Sequence, residues 1–216
     1  MAPTTTTSQA CLICEQPNSK LCAVCKGSAY CSKECQKKDW KIHKLLCADF
    51  AALDLSKRPS ADHFRGILLP ENDEKPTCVW MKYTPDVLGY VLVQHIDLET
   101  GVVNFGNDSM HRSAHIFEDK ILGRKLTTLT SLHHRENFLG DGSSFNKAIR
   151  RIDSLKANKP AFWRGPVVIV GINEVQQQHW KSKRRDATMK DFRYAADYFL
   201  TYKPTPDASS FWPPFM

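Results

Sequence analysis

The C-terminal half of the chain carries two apolar stripes of helical period. Phe145, Ala148, Ile149 and Ile152 fall at i, i+3, i+4 and i+7 and predict one amphipathic helix. Met189, Phe192, Ala196, Phe199 and Leu200 predict a second, and Thr188 with Asp191 three residues on is a capping-box start for it. The β-branched run Val167-Val168-Ile169-Val170 suits a buried strand, and Thr77–Tyr83 and Val102–Phe105 also have strand character. Together these elements predict a mixed α+β domain over residues 77–203. Gly140-Asp141-Gly142-Ser143-Ser144 reads as a loop whose serine caps the helix after it.

Polar and breaker positions divide the rest. Ala48–Leu55 is a short apolar strip, while Ser56-Lys57-Arg58-Pro59-Ser60 and the proline-bounded Pro70–Pro76 read as connection. Residues 48–76 are therefore expected to be a linker, with a domain boundary near residue 60. Residues 1–10 are Thr-rich and expected to be disordered, and residues 204–216 form a tail rich in proline and aromatic residues. No apolar run approaches the roughly 20 residues that span a bilayer, so no membrane partner is expected. The N-terminus lacks the charged-then-apolar pattern of a secretory leader, which points to the nucleus and/or cytoplasm and argues against disulfides between the cysteines.

Composition adds one decisive fact. A chain of 216 residues with 42% hydrophobic and 25% charged positions is ordinary for a globular protein and excludes global disorder. Of its 8 cysteines, however, all but Cys78 lie between Cys11 and Cys47. The spacing is Cys11-x2-Cys14, Cys22-x2-Cys25, Cys31-x3-Cys35 and His43-x3-Cys47. Each pair is close enough in sequence to give one metal ion two ligands. Structural zinc sites are tetrahedral and closed, so eight ligands make two sites with no position left for a catalytic water. Spacing alone does not choose between sequential and interleaved pairing. His43 and Cys47, at i and i+4, are expected on one face of a helix, and Ser32 is expected to cap the helix that contains Cys35.

These residues resemble the MYND zinc finger, down to Tyr30-Cys31-Ser32, Cys35-Gln36-x3-Trp40 and His43-Lys44-x2-Cys47. The resemblance covers residues 11–47 and implies a small, cross-braced finger with two Zn2+ ions, followed here by the α+β domain. It implies interleaved ligands: Cys11, Cys14, Cys31 and Cys35 on one ion, Cys22, Cys25, His43 and Cys47 on the other. It also implies a peptide site. In MYND fingers that act as corepressor modules, the glutamine and tryptophan matching Gln36 and Trp40 contact proline-containing ligands of the form P-x-L-x-P, and the setting is transcriptional or other nuclear regulation. The plainer reading of Trp40 is the core aromatic of a small module. No P-x-L-x-P occurs in this chain, so the ligand is expected in another protein.

Metal changes the charge. Seven lysines against four acids give residues 1–50 a formal +3; seven thiolates and two Zn2+ bring them to about zero and the whole chain from +7 to about +4. Specific nucleic-acid binding is therefore not expected. The strongest basic cluster, Trp180-Lys181-Ser182-Lys183-Arg184-Arg185, reads as a solvated loop, with a nuclear import signal or a nucleic-acid contact as the alternatives. Catalytic signatures are missing: there is no phosphate-binding glycine loop, metalloprotease helix or serine elbow. His133-His134 points to two sides of the chain, and Cys78 reads as a buried thiol. MYND fingers also occur in SET-domain lysine methyltransferases, the enzyme alternative, but Asn107–His111 does not match the catalytic segment of that family. The expectation is a chain that is not an enzyme.

Overall fold

The computed structural model describes residues 9–82, 84–85, 91–92, 111–136, 138–155, 162–173 and 184–202. The strand expected at 102–105, residues 181–183 and the tail from 204 lie outside the described residues. The N-terminal part begins with an antiparallel hairpin of two short strands, β1 (Lys20–Leu21) and β2 (Ala29–Tyr30), followed by helices α1 (Lys33–His43) and α2 (Cys47–Ala52). The Ser32 hydroxyl accepts the Cys35 backbone N–H at 3.2 Å, the expected N-cap of α1.

The remainder builds on an antiparallel sheet. In chain order come β3 (His63–Leu69), β4 (Thr77–Lys82), a small hairpin of β5 (Thr84–Pro85) and β6 (Val91–Leu92), then β7 (His111–Asp119) and β8 (Arg124–Arg135). Helix α3 (Lys147–Asp153), β9 (Val167–Ile172), β10 (Arg184–Arg185) and α4 (Met189–Thr201) complete the chain. The sheet order is β4-β3-β9-β8-β7, with β10 paired to the end of β9. Strand β9 is buried throughout, as its unbroken apolar run requires of a central strand. Helices α3 and α4 lie against one face, where Ile67, Leu69, Leu132, Val167 and Ile169 meet Ile149, Phe192 and Phe199.

Two expectations about boundaries are corrected. Residues 48–76 are not simply a connection, because β3 lies inside the sheet between β4 and β9. Its pattern conceals it: Arg65 interrupts the apolar positions, and Gly66 looks like a breaker. Gly66 has a packing reason, since a Cβ there would run into the Met81 sulfur of the neighbouring strand. Arg65 is buried, with its Nε donating to the Ala187 carbonyl at 2.7 Å and its guanidinium 4.0 Å over the Phe50 ring. Nor does residue 60 divide the core, because one apolar cluster runs from Cys11 and Leu12 through Phe50 to Phe192 and Phe199.

Both helical stripes are present. Thr188 and Asp191 form the expected capping box of α4. Asp191 is buried and also accepts Thr130 Oγ1 at 2.6 Å and two bonds from the Arg185 guanidinium, tying the start of α4 to the sheet. Helix α3 is capped by Asn146, not by Ser143 or Ser144. The loop runs on because the Asn146 amide donates to the carbonyls of Leu69 and Gly165 while its oxygen accepts Ile149 N–H. Phe145, just before the helix, is consequently exposed beneath the guanidiniums of Arg150 and Arg164.

Candidate metal centres and the outer face of helix α1

The two Cys-x2-Cys turns are built alike. Each is followed by a residue in the left-handed region, Glu15 at φ 61° and Lys26 at φ 52°, a conformation that costs a non-glycine residue about 1 kcal/mol. That turn wraps the backbone around the sulfur: Gly27 N–H donates to Cys25 Sγ at 3.4 Å. Gly27 is also confined by packing, since a Cβ would stand 2.5 Å from the Phe50 ring and 2.8 Å from Met189. The knuckle thus sits directly against α2 and α4.

The eight predicted ligands converge in two groups, Cys11, Cys14, Cys31 and Cys35 in one and Cys22, Cys25, His43 and Cys47 in the other, with donor atoms within 4.8 Å of one another. The pairing is interleaved. In the first group the Sγ atoms of Cys14 and Cys31 are 3.4 Å apart, those of Cys31 and Cys35 3.6 Å, and those of Cys35 and Cys14 3.8 Å. In the second, Cys22 and Cys47 are 3.8 Å apart, as are Cys25 Sγ and His43 Nε2. Zinc–sulfur bonds of about 2.3 Å at tetrahedral angles give a sulfur–sulfur edge of about 3.8 Å, so the residues fit zinc. His43 and Cys47 do not share a helix as expected: His43 ends α1, Cys47 begins α2, and the turn between them brings both inward.

The electrostatics of the thiols call for a cation. Burial opposes the Cys11 thiolate, but backbone N–H groups of Cys31, Cys14 and Ile13 aimed at its sulfur prevail and bring its pKa down to about 6. Cys31 is pushed up to about 12 by hydrogen bonds shared with Cys14 and Cys35, and Cys47 to about 12 by burial and the neighbouring charge of Cys25. Four donors this close do not all ionise beside one another unaided, and a divalent ion would supply the missing positive charge. Burial lowers the pKa of His43 and keeps its ring neutral, the form that ligates.

Sequence reasoning missed the groups behind His43. Its Nδ1 lies 3.0 Å from the Tyr30 hydroxyl, which donates to Asp39 Oδ2. Burial and the Asp39 charge push the tyrosine pKa up, so it remains a donor. Asp39 then accepts Arg193 Nη1 at 2.7 Å, and Arg193 Nε donates to Asp197 Oδ2 at 2.8 Å, all within a buried layer between α1 and α4. Such partners fix the tautomer and orientation of a ligating histidine. Arg193 gave one signal, its position inside the apolar stripe of α4. Further ties join the same surfaces: Arg124 donates to the Leu12 carbonyl at 2.6 Å, and Asp49 accepts Thr77 Oγ1 at 3.0 Å and the Cys78 backbone N–H.

Gln36 and Trp40 flank the buried side of α1, on its solvent-facing edge. Both are exposed, and Trp40 keeps 48% of its surface accessible, so it is not the core aromatic of the module. Tyr30 and Phe50 take that role. The Trp40 ring borders the metal region, its centroid 6.0 Å from that of His43. The basic cluster near the C-terminus is largely occupied where it is described: Arg185 is bound to Asp191 and Arg193 to Asp39 and Asp197. His133 and His134 do face opposite ways, the first against Ser131 and the second against Phe138 and Trp163.

Two interleaved ligand groups, one of four cysteines and one of three cysteines and a histidine, set on a hairpin and two helices, define a cross-braced zinc-finger module. Residues 11–47 match the family model of the MYND finger, a protein-interaction domain. The chain is 31% identical over 118 residues to the ubiquitin carboxyl-terminal hydrolase 19 of Arabidopsis thaliana, covering 45% of this chain and 18% of that protein. It is 49% identical over 41 residues to the zinc finger MYND domain-containing protein 10 homolog of Drosophila melanogaster, 19% of this chain and 9% of the relative. It is 38% identical over 50 residues to the N-lysine methyltransferase SMYD2 of Mus musculus, 23% of this chain and 12% of the relative. The chain thus spans less than a fifth of the length of these relatives. No solved structure matches it. No helix among the described residues is long and apolar enough to cross a membrane.

Proposed function

We propose that residues 11–47 hold two zinc ions and present α1 to an extended, proline-containing peptide of the P-x-L-x-P type, so that the chain works as a regulatory or transcriptional adaptor. The observation that carries this reading is the exposure of Trp40 beside a likewise exposed Gln36, one helical turn apart, on a finger whose other aromatic side chain, Tyr30, is buried. A proline-rich segment is already extended, loses little entropy on binding and offers flat apolar rings to an indole, while a glutamine amide can fix its backbone. An interaction role in place of catalysis agrees with Cys78, whose thiol burial and Asp49 push up to about 12, which suits packing and not nucleophilic attack. Trp40→Ala tests the reading. Calorimetry with a P-x-L-x-P peptide is expected to show a loss of about 2 kcal/mol or more, with zinc content and melting temperature kept. Loss of zinc on this substitution, or undiminished peptide binding, contradicts it.

A further inference from the structure

The lysines of α1 lie beside Gln36 and Trp40, and their placement specifies the partner further. Lys33, Lys37, Lys41 and Lys44 follow one another at intervals of four, four and three residues, which winds them along a single strip of the helix. Gln36 and Trp40 sit along the edge of that strip, between it and the buried side formed by Cys35, Asp39, Ile42 and His43. All four lysines are exposed, as is Lys38. None of the five pairs with an acid among the described residues.

Helix stability does not account for the strip. Cations favour the last turn of a helix, which suits Lys41 and Lys44, but Lys33 occupies the first turn, where the helix dipole disfavours positive charge, and Lys37 the middle, where the dipole gives it no support. The acids that would balance them are elsewhere. Asp39 is turned inward and neutralised by Arg193, leaving Glu34 as the exposed acid of the helix. With two zinc ions bound the thiolates would bring the net charge of the finger near zero, yet five of the seven ligand cysteines are buried, Cys14 and Cys31 being the exposed ones, while the lysines line the outside. With screening over about 8 Å at physiological salt, a ligand on the Trp40 edge experiences the nearby lysines first.

We infer that the partner segment is acidic next to its prolines: the apolar residues meet Trp40 and Gln36, and glutamates or aspartates beside them meet the strip from Lys33 to Lys44. This rests on the peptide reading above and adds the charge of the ligand to it. An acidic peptide fits better than a nucleic acid, because the face offers one aromatic ring and lysines without an arginine, not a row of rings on which bases could stack.

The test uses the full chain and fluorescence anisotropy with three labelled probes: a P-x-L-x-P peptide flanked by glutamates, the same peptide flanked by serines, and a single-stranded oligonucleotide. The acidic peptide is expected to bind about five- to tenfold more tightly than the neutral one at about 0.05 M salt, mostly through faster association, with the advantage fading by about 0.5 M. The double variant Lys37→Glu/Lys41→Glu, with its zinc content verified, should lose that advantage and keep its affinity for the neutral peptide. Equal affinity for both peptides, or an advantage that survives in the double variant, overturns the acidic partner and leaves the peptide site standing. Binding of neither peptide overturns both. Tighter binding of the oligonucleotide than of the acidic peptide assigns the strip to nucleic acid and overturns the inference.

Discussion

The two candidate metal centres use the same Cys-x2-Cys turn and the same ligand spacing but stand in different surroundings. In the outer centre Cys14 and Cys31 are exposed, whereas all four ligands of the inner one are buried. Behind His43 runs a chain of polar contacts through Tyr30, Asp39 and Arg193 into α4, a helix that also packs on the sheet. A finger of 37 residues therefore need not be a separate bead. Both ligand groups touch the larger core, the outer through Cys11 and Leu12 and the inner, in addition, through the buried polar chain to α4.

Loss of one ligand from each centre separates the two most strongly. Cys25→Ser should release the inner ion and, by removing much of the roughly 10–16 kcal/mol that a structural zinc supplies, unfold the finger and loosen α4. Cys14→Ser should cost the outer ion while leaving α4 in place. Hydrogen exchange of the amides of residues 189–201 distinguishes the two outcomes, and equal protection in both variants contradicts the difference between the centres. Next in size is Arg193→Ala, which leaves Asp39 and Asp197 buried without their cation. It should destabilise the whole chain by about 3–5 kcal/mol in denaturant melts and weaken the inner centre more than the outer.

A smaller, pH-dependent effect acts at the same boundary. Burial, with the nearby Asp119 adding its charge, pushes Asp197 up to about 7 despite Arg193, and one oxygen of each carboxyl is buried without a partner. A carboxyl raised in this way holds its proton to higher pH in the folded chain than in the unfolded one. The folded state then keeps a proton that the unfolded state releases between about pH 4 and pH 7, so this group's contribution to stability falls as pH rises through that window and is flat above it. Asp197→Asn removes the dependence. From about pH 5 to pH 8 the variant should gain roughly 2–3 kcal/mol relative to the unsubstituted chain, and parallel pH profiles contradict the assignment.

How much of this was legible in the sequence depended on the range of the interaction. Ligands to one ion must arrive as close pairs, so all eight were readable from spacing, and the caps at Ser32 and Thr188 were readable because capping spans three residues. The pairing of the four turns was not written in the spacing; the family resemblance implied it, and the geometry shows it. Strands β7 and β8 escaped notice for a physical reason: β8 places its leucines at 126, 129 and 132, a spacing of three that obscures alternation, because Leu132 faces the helices while Leu129 lies on the other side. The contact between Arg193 and Asp39 joins residues 154 apart and left no local trace beyond a charge set in an apolar stripe.

Native mass spectrometry of the full chain during a chelator titration, followed in parallel by hydrogen exchange, bears directly on the division between an outer and an inner centre. Two zinc ions per chain are expected at the start, with stepwise release: the first ion leaves while α4 stays protected, and the second leaves together with that protection. One ion or none at the start, or two ions that leave in a single step, would contradict it.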